Sequence, residues 1–142
     1  MGILRRQNKD ITIIIIHCSA SDKPEHDSID VIRQWHLDRG FDDVGYHFFI
    51  KKNGDVERGR KLFQIGAHCK GFNSESVGIC LAGNHDFSDC QFKSAAKLID
   101  GLKEILPNLK SNCIFPHFLF DINKTCPNFL ISEITKYSKL VF

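Results

Sequence analysis

Apolar and polar positions follow different rhythms along this chain, and each rhythm predicts an element. Residues 11–17 open with Ile11-Thr12-Ile13-Ile14-Ile15-Ile16, a β-branched run closed by His17; such a run predicts a rigid, buried first strand. The spacing then changes. Ile29, Ile32, Arg33, Trp35, His36 and Leu37 recur at helical intervals behind the helix-starting pair Asp27-Ser28, and Gly40 is placed to end the helix. Residues 46–51 and 56–59 read as strands joined through Asn53-Gly54, a strong hairpin signal. Residues 77–82 are apolar throughout and predict a central strand. Phe92, Ala95, Ala96, Leu98, Ile99, Leu102, Ile105 and Leu106 form one face of a helix over 91–106, stopped by Pro107. A short strand over 112–115 leads to His117, and a last helix is expected over 131–140.

Strands alternating with helices predict an α/β layer fold, and the hairpin makes the sheet mixed. At 142 residues the chain is expected to be a single domain over 1–142. The expected architecture is a central mixed β-sheet flanked by about three helices, with residues 1–10 as a loosely ordered N-terminal segment. Repeats, low-complexity tracts and linkers are absent from the sequence.

Composition changes this picture little. With 42% hydrophobic residues, 25% charged residues and a formal charge of +2, the chain reads as an ordinary soluble globule. No nucleic-acid partner is expected, and Arg5, Arg6 and Lys9 read as a frayed basic terminus. No stretch approaches the roughly 20 apolar residues that span a bilayer. The isoleucine run also lacks the length and cleavage site of a signal peptide, so synthesis in the cytoplasm is expected. Six cysteines occur without a Cys-x-x-Cys pair. Cys126 is the exception among them, and the other five are read as packing residues.

Candidate chemistry begins at His17. A histidine at the end of a rigid strand is held at a fixed point on the sheet rim. His117 and Cys126, the latter followed by Pro127, complete a set of two imidazoles and one thiolate. That is the ligand number of a catalytic zinc with an open fourth position. The sequence contains no His-Glu-x-x-His and no Gly-x-Ser-x-Gly, which removes the metalloprotease helix and the nucleophile elbow. Nothing suggests the facing carboxylates of a glycosidase. Among the other histidines, His36 suits packing or capping and His26 and His85 suit solvated loops. His47 faces away from Tyr46 and suits a structural hydrogen bond. Asp121 reads as a polar loop residue.

Several blocks in register carry a resemblance. His17-Cys18-Ser19-Ala20, Ile32-Arg33-Gln34-Trp35-His36, Asp43-Val44-Gly45-Tyr46-His47-Phe48, Gly66-Ala67-His68-Cys69-Lys70-Gly71-Phe72-Asn73, Ser76-Val77-Gly78-Ile79 and Cys126-Pro127 resemble the zinc-dependent N-acetylmuramoyl-L-alanine amidases. That family includes animal peptidoglycan recognition proteins. The resemblance is collinear over roughly residues 11–130.

It implies one zinc per chain, held by His17, His117 and Cys126 in a groove along one sheet edge. It implies catalytic roles for Tyr46, whose phenol would hold the attacking water or the oxyanion, and for Lys124. His68 and Asn73 would bind substrate along the groove. The implied substrate is peptidoglycan or muropeptides, cut between N-acetylmuramic acid and L-alanine by a monomer. The alternative is a module that binds muropeptides without cutting them. Family members of that kind typically lack the cysteine ligand, which is present here as Cys126.

The chain departs from the family pattern in three places. The interval from His117 to Cys126 is one residue longer than is common, Phe118-Leu119-Phe120 is more apolar than usual, and Asn128 stands after Pro127 where glycine is frequent. A phage endolysin, a recycling enzyme and an effector delivered to rival cells are all compatible with these residues.

Overall fold

The computed structural model describes residues 2–140. Its centre is a five-stranded sheet of order β3-β2-β4-β1-β5, with β1 Ile13–Cys18, β2 Phe48–Ile50, β3 Val56–Arg58, β4 Ser76–Leu81 and β5 Ile114–Pro116. β2, β4, β1 and β5 run parallel, and only the edge strand β3 is antiparallel. The helices are α1 Ile29–Asp38, α2 Asp89–Ile105 and α3 Ser132–Thr135. This is the expected single domain with a mixed sheet between helices.

Burial on both faces explains the unbroken apolar runs of β1 and β4. Ile14, Ile16, Phe48, Ile50, Val77, Ile79 and Leu81 pack beneath α2 with Phe92, Ala95, Ala96, Ile99 and Leu102. On the opposite face Phe49 and Cys80 pack against Ile29 and Ile32 of α1. Fully burying one such side chain stabilises by about 1.5–3 kcal/mol.

Local chemistry sets the element ends. Ser28 caps α1 by accepting from the Asp30 backbone N–H at 3.1 Å, and Gly40 follows with φ +92°, the left-handed conformation that glycine adopts without strain. Ser88 and Gln91 form a capping box at α2. Gln91 also donates through Nε2 to the carbonyls of Ala82 and Ile50 at 2.8 and 3.2 Å, tying the helix to the ends of β4 and β2.

Three expectations differ from the structure. The last helix covers only Ser132–Thr135, because the Asp100 carboxylate accepts from Ser138 Oγ and the Lys139 backbone N–H at 2.6 and 2.9 Å and draws the chain aside. The second strand is shorter than 46–51, since the carbonyls of Gly45 and Tyr46 accept from Ala67 and Arg60 instead of a ladder partner. The N-terminal segment is not loose over its described part. Arg6 is only 8% exposed and donates to the carbonyls of Leu62, Asn73, Ser74 and Ser76. Burial lowers its pKa to about 10, and the four carbonyls supply the acceptors a buried guanidinium needs.

Candidate active site

Strand register brings the first two candidate ligands together. Ile16 lies opposite Pro116 in the parallel pair β1–β5, so the next residues, His17 and His117, emerge side by side at the carboxyl ends of these strands. Ligand sites in parallel sheets collect at such ends. A loop then returns Cys126 to the same point. His17 Nδ1 lies 3.1 Å from His117 Nδ1, and Cys126 Sγ lies 3.9 and 3.6 Å from those two nitrogens. Four-coordinate zinc with usual bond lengths separates N from N by about 3.3 Å and N from S by about 3.6 Å. The three side chains are therefore spaced within about 0.3 Å of what such an ion requires.

Burial prepares these groups to act as ligands. His17 is 1% exposed; burial, with His68, His117, His36 and Lys124 nearby, holds its pKa well below the usual imidazole value. Burial and Lys124 lower that of His117 as well. Both rings are thus neutral and offer lone pairs. The Cys126 thiol is pushed up by its hydrogen bond with Cys18 and by burial, so a bound cation has to displace its proton. The Cys18 backbone N–H, 3.4 Å from Cys126 Sγ, is aimed to stabilise the resulting thiolate.

Behind His17 the protonation pattern is determined by partners. With Nδ1 turned toward His117 and Cys126, Nε2–H of His17 donates to His68 Nδ1 at 2.8 Å. His68 Nε2–H then donates to Ser76 Oγ at 3.1 Å. A chain of this kind orients a ligand and selects its tautomer. His68 is therefore buried behind His17, where its ring is removed from the cleft expected to hold substrate. Asn73 is likewise a loop anchor: its Oδ1 accepts from the backbone N–H groups of His68 and Cys69, both at 2.9 Å. Neither residue lines the cleft.

A cleft of about 340 Å³ opens in front of the cluster, and Tyr46, His117, Lys124 and Cys126 all line it. The Tyr46 ring lies 4.9 Å from that of His17, and burial, with the Cys80, Cys126 and Cys18 thiols nearby, keeps its phenol protonated by raising its pKa well above the usual value. His36 of α1 places this tyrosine by accepting the Gly45 backbone N–H at Nδ1, 2.8 Å away. Lys124 sits close enough for its charge to lower the pKa of both His17 and His117. With the longer loop, Lys124 still lines the cleft.

His47 makes structural contacts: its Nδ1 accepts from the Gly78 N–H at 3.0 Å, and Nε2 lies 2.8 Å from the Gln64 carbonyl. His85 is exposed. His26, expected to be solvated, instead sits 2.7 Å from Ser21 Oγ and stacks edge-on against Trp35. All six cysteines are free, and Cys90, in the first turn of α2 just before the buried Gln91 and Phe92, is exposed where packing was expected. Asn128 adopts φ +66°, which explains why asparagine can stand where glycine is frequent. Its Nδ2 donates to the Asn84 side-chain oxygen at 2.9 Å and ties down the loop after Cys126.

Sequence reasoning missed the Cys18 N–H, Ser76 and Arg6. Cys18 directly follows His17, so adjacency to a ligand was the available signal there; Ser76 and Arg6 lie far from every ligand in sequence and offered none.

Comparison with known proteins agrees with this geometry. The family model for N-acetylmuramoyl-L-alanine amidase matches residues 7–129. The endolysin of Escherichia phage T7 is 34% identical over 144 aligned positions, covering 96% of this chain and 93% of that protein. Among solved structures, the N-acetylmuramoyl-L-alanine amidase LysC from Clostridium intestinale is 28% identical with a TM-score of 0.79, over 91% of this chain and 85% of that one. A mutant of Drosophila PGRP-LB in complex with tracheal cytotoxin is 26% identical with a TM-score of 0.79, over 96% and 86%.

Proposed function

Since this chain belongs to the N-acetylmuramoyl-L-alanine amidase family, we propose that it is a zinc amidase of the bacterial cell wall. It hydrolyses the amide between N-acetylmuramic acid and L-alanine in peptidoglycan, and releases the stem peptide from the glycan. The observation that carries this reading is the convergence of His17, His117 and Cys126, with all ligand atoms within 4.8 Å of one another, beside a cleft that His117, Cys126, Tyr46 and Lys124 line.

His17 Nδ1, His117 Nδ1 and Cys126 Sγ would hold the zinc. When bound there, the ion supplies Lewis acidity toward the amide carbonyl and lowers the pKa of a water molecule. The chain's own groups do the rest. Tyr46, protonated at all working pH values, donates its O–H to the oxygen that gains charge as the amide carbonyl becomes tetrahedral. The Lys124 ammonium offsets the same charge from the cleft wall. His68 and Ser76 keep His17 in the tautomer that presents Nδ1. The Cys18 N–H would stabilise the Cys126 thiolate once a bound cation has displaced its proton.

Retention of the cysteine ligand favours hydrolysis over binding alone. Similarity to the phage endolysin along nearly its whole length favours intact wall over soluble fragments as substrate, reached after release or delivery. The chain is proposed to act as a monomer without a nucleic-acid partner. Among the described residues, no helix is long and apolar enough to cross a membrane.

The deciding experiment combines metal analysis of the purified protein with mass spectrometry of digested peptidoglycan. One zinc per chain and free stem peptides beginning with L-alanine are expected. A metal-free protein that still releases them, or a zinc-loaded one that cuts a glycosidic bond, overturns the reading.

A further inference from the structure

The cleft in front of the candidate metal cluster has no acidic wall. Its lining includes Arg39, Lys124, His36 and the amides Asn84, Asn123 and Asn128, and none of the chain's 17 aspartate and glutamate residues. Among the described residues, neither Arg39 nor Lys124 has a carboxylate partner. The ion pairs among the described residues use Arg33, Lys52 and Lys136, so the positive charge of the cleft is not neutralised from within.

The two cations serve different parts of the cleft. Lys124 bears electrostatically on His17 and His117, at the reacting end. Arg39 bears on His36 and follows α1 as its C-cap, in the wall that also presents Trp35. Its guanidinium lies over the Phe41 ring, 5.1 Å from the centroid. An aromatic face holds a cation in place without neutralising it, so Arg39 remains free to meet an anion. A planar guanidinium suits a carboxylate, which it can engage through two parallel hydrogen bonds.

Substrate chemistry says where that anion would come from. On the glycan side of the scissile bond the N-acetylated sugars are uncharged, and the lactyl carboxyl is consumed in the amide itself. Free carboxylates belong to the peptide. We propose that Arg39 is a specificity-determining residue: it pairs with a free carboxylate of the stem peptide and so directs the peptide along the α1 wall, with Lys124 left to the reacting amide. This inference rests on the amidase reading for the identity of the substrate.

The test separates the two claims by measuring binding apart from cleavage. Calorimetric titration of the zinc-loaded protein would use a stem peptide beginning with L-alanine in two forms, as free acids and with its carboxylates converted to carboxamides. The wild type should bind the free-acid form about tenfold more tightly, the scale of one charge-assisted hydrogen-bond pair at a partly exposed site. Raising the salt concentration should shrink the difference. Arg39→Ala should bring the two affinities together with the zinc content and Tm retained, and Arg39→Lys should keep part of the preference. Lys124→Ala should lower turnover of acid and amidated muropeptides alike. Equal binding of both peptide forms by the wild type, no measurable binding of the free acid, or an equal loss for both forms in Arg39→Ala would each overturn the proposal. Selective binding with no cleavage of any muropeptide would sink the amidase reading and leave the carboxylate site standing.

Discussion

Gly78 lies directly beneath His68: a Cβ at position 78 would stand 2.6 Å from the imidazole Cγ and under 3 Å from two further ring atoms. The ring can reach His17 only because the middle of β4 has no side chain there. Gly78→Ala should therefore displace His68 and release the Nε2–H of His17 from its acceptor. Zinc affinity should fall by about 10–100-fold, the usual loss when such a supporting contact goes. Competition with a chelator measures it. Unchanged affinity would mean that His68 does not orient the ligand.

Removing the thiolate is the more drastic change. Cys126→Ala should leave far-UV circular dichroism near that of the wild type, because the buried core lies between the sheet and the helices and does not include this loop. Metal content should fall below one per chain and amidase activity should vanish. A fully active Cys126→Ala protein would exclude the proposed ligand set.

Tyr46→Phe tests catalysis apart from metal binding. Turnover should drop by about 10²–10³-fold, as for one lost donor to a developing oxyanion, with zinc stoichiometry unchanged. Steady-state kinetics with metal analysis on the same sample decides the matter. A parallel loss of zinc would reassign Tyr46 to a structural role.

Stability should depend on pH through the buried histidines outside the cluster. Burial lowers the pKa of both His36 and His47 to about 4, below the ordinary value of about 6.5. Between these values the unfolded chain binds protons that the folded chain refuses, so stability falls as pH drops from about 6.5 to about 4. Tm of the metal-free protein should decline across that window. His47→Gln should flatten part of the slope.

Arg6 offers a test of the N-terminal anchor. Arg6→Ala should cost about 2 kcal/mol or more, because it leaves buried carbonyls without a donor. Chemical denaturation measures the loss. A change below about 0.5 kcal/mol, typical of surface positions, would mean that water replaces the guanidinium.

Much of this protein is legible along the chain, because its signals are local. The isoleucine run before His17, the helical spacing behind Ser28, the turn at Asn53-Gly54 and the capping box at Ser88 each act through neighbours a few residues away. The sheet, the helices on its two faces and the rim position of His17 follow from them, while His117, Cys126, Tyr46 and Lys124 became candidates through residue type and resemblance. What the sequence does not carry is which groups meet across long separations. Only the β1–β5 register sets His17 beside His117, and only the absence of a Cβ at Gly78 lets His68 pass behind His17 and leave the cleft. Arg6 looks like a frayed basic terminus until the chain folds over its guanidinium and supplies four carbonyls. α3 stops at Thr135 because Asp100, on another helix, captures the residues that follow. Hydrogen bonds and steric fit act over a few ångströms of space whatever the distance in sequence, so these partners were decided by the tertiary structure alone.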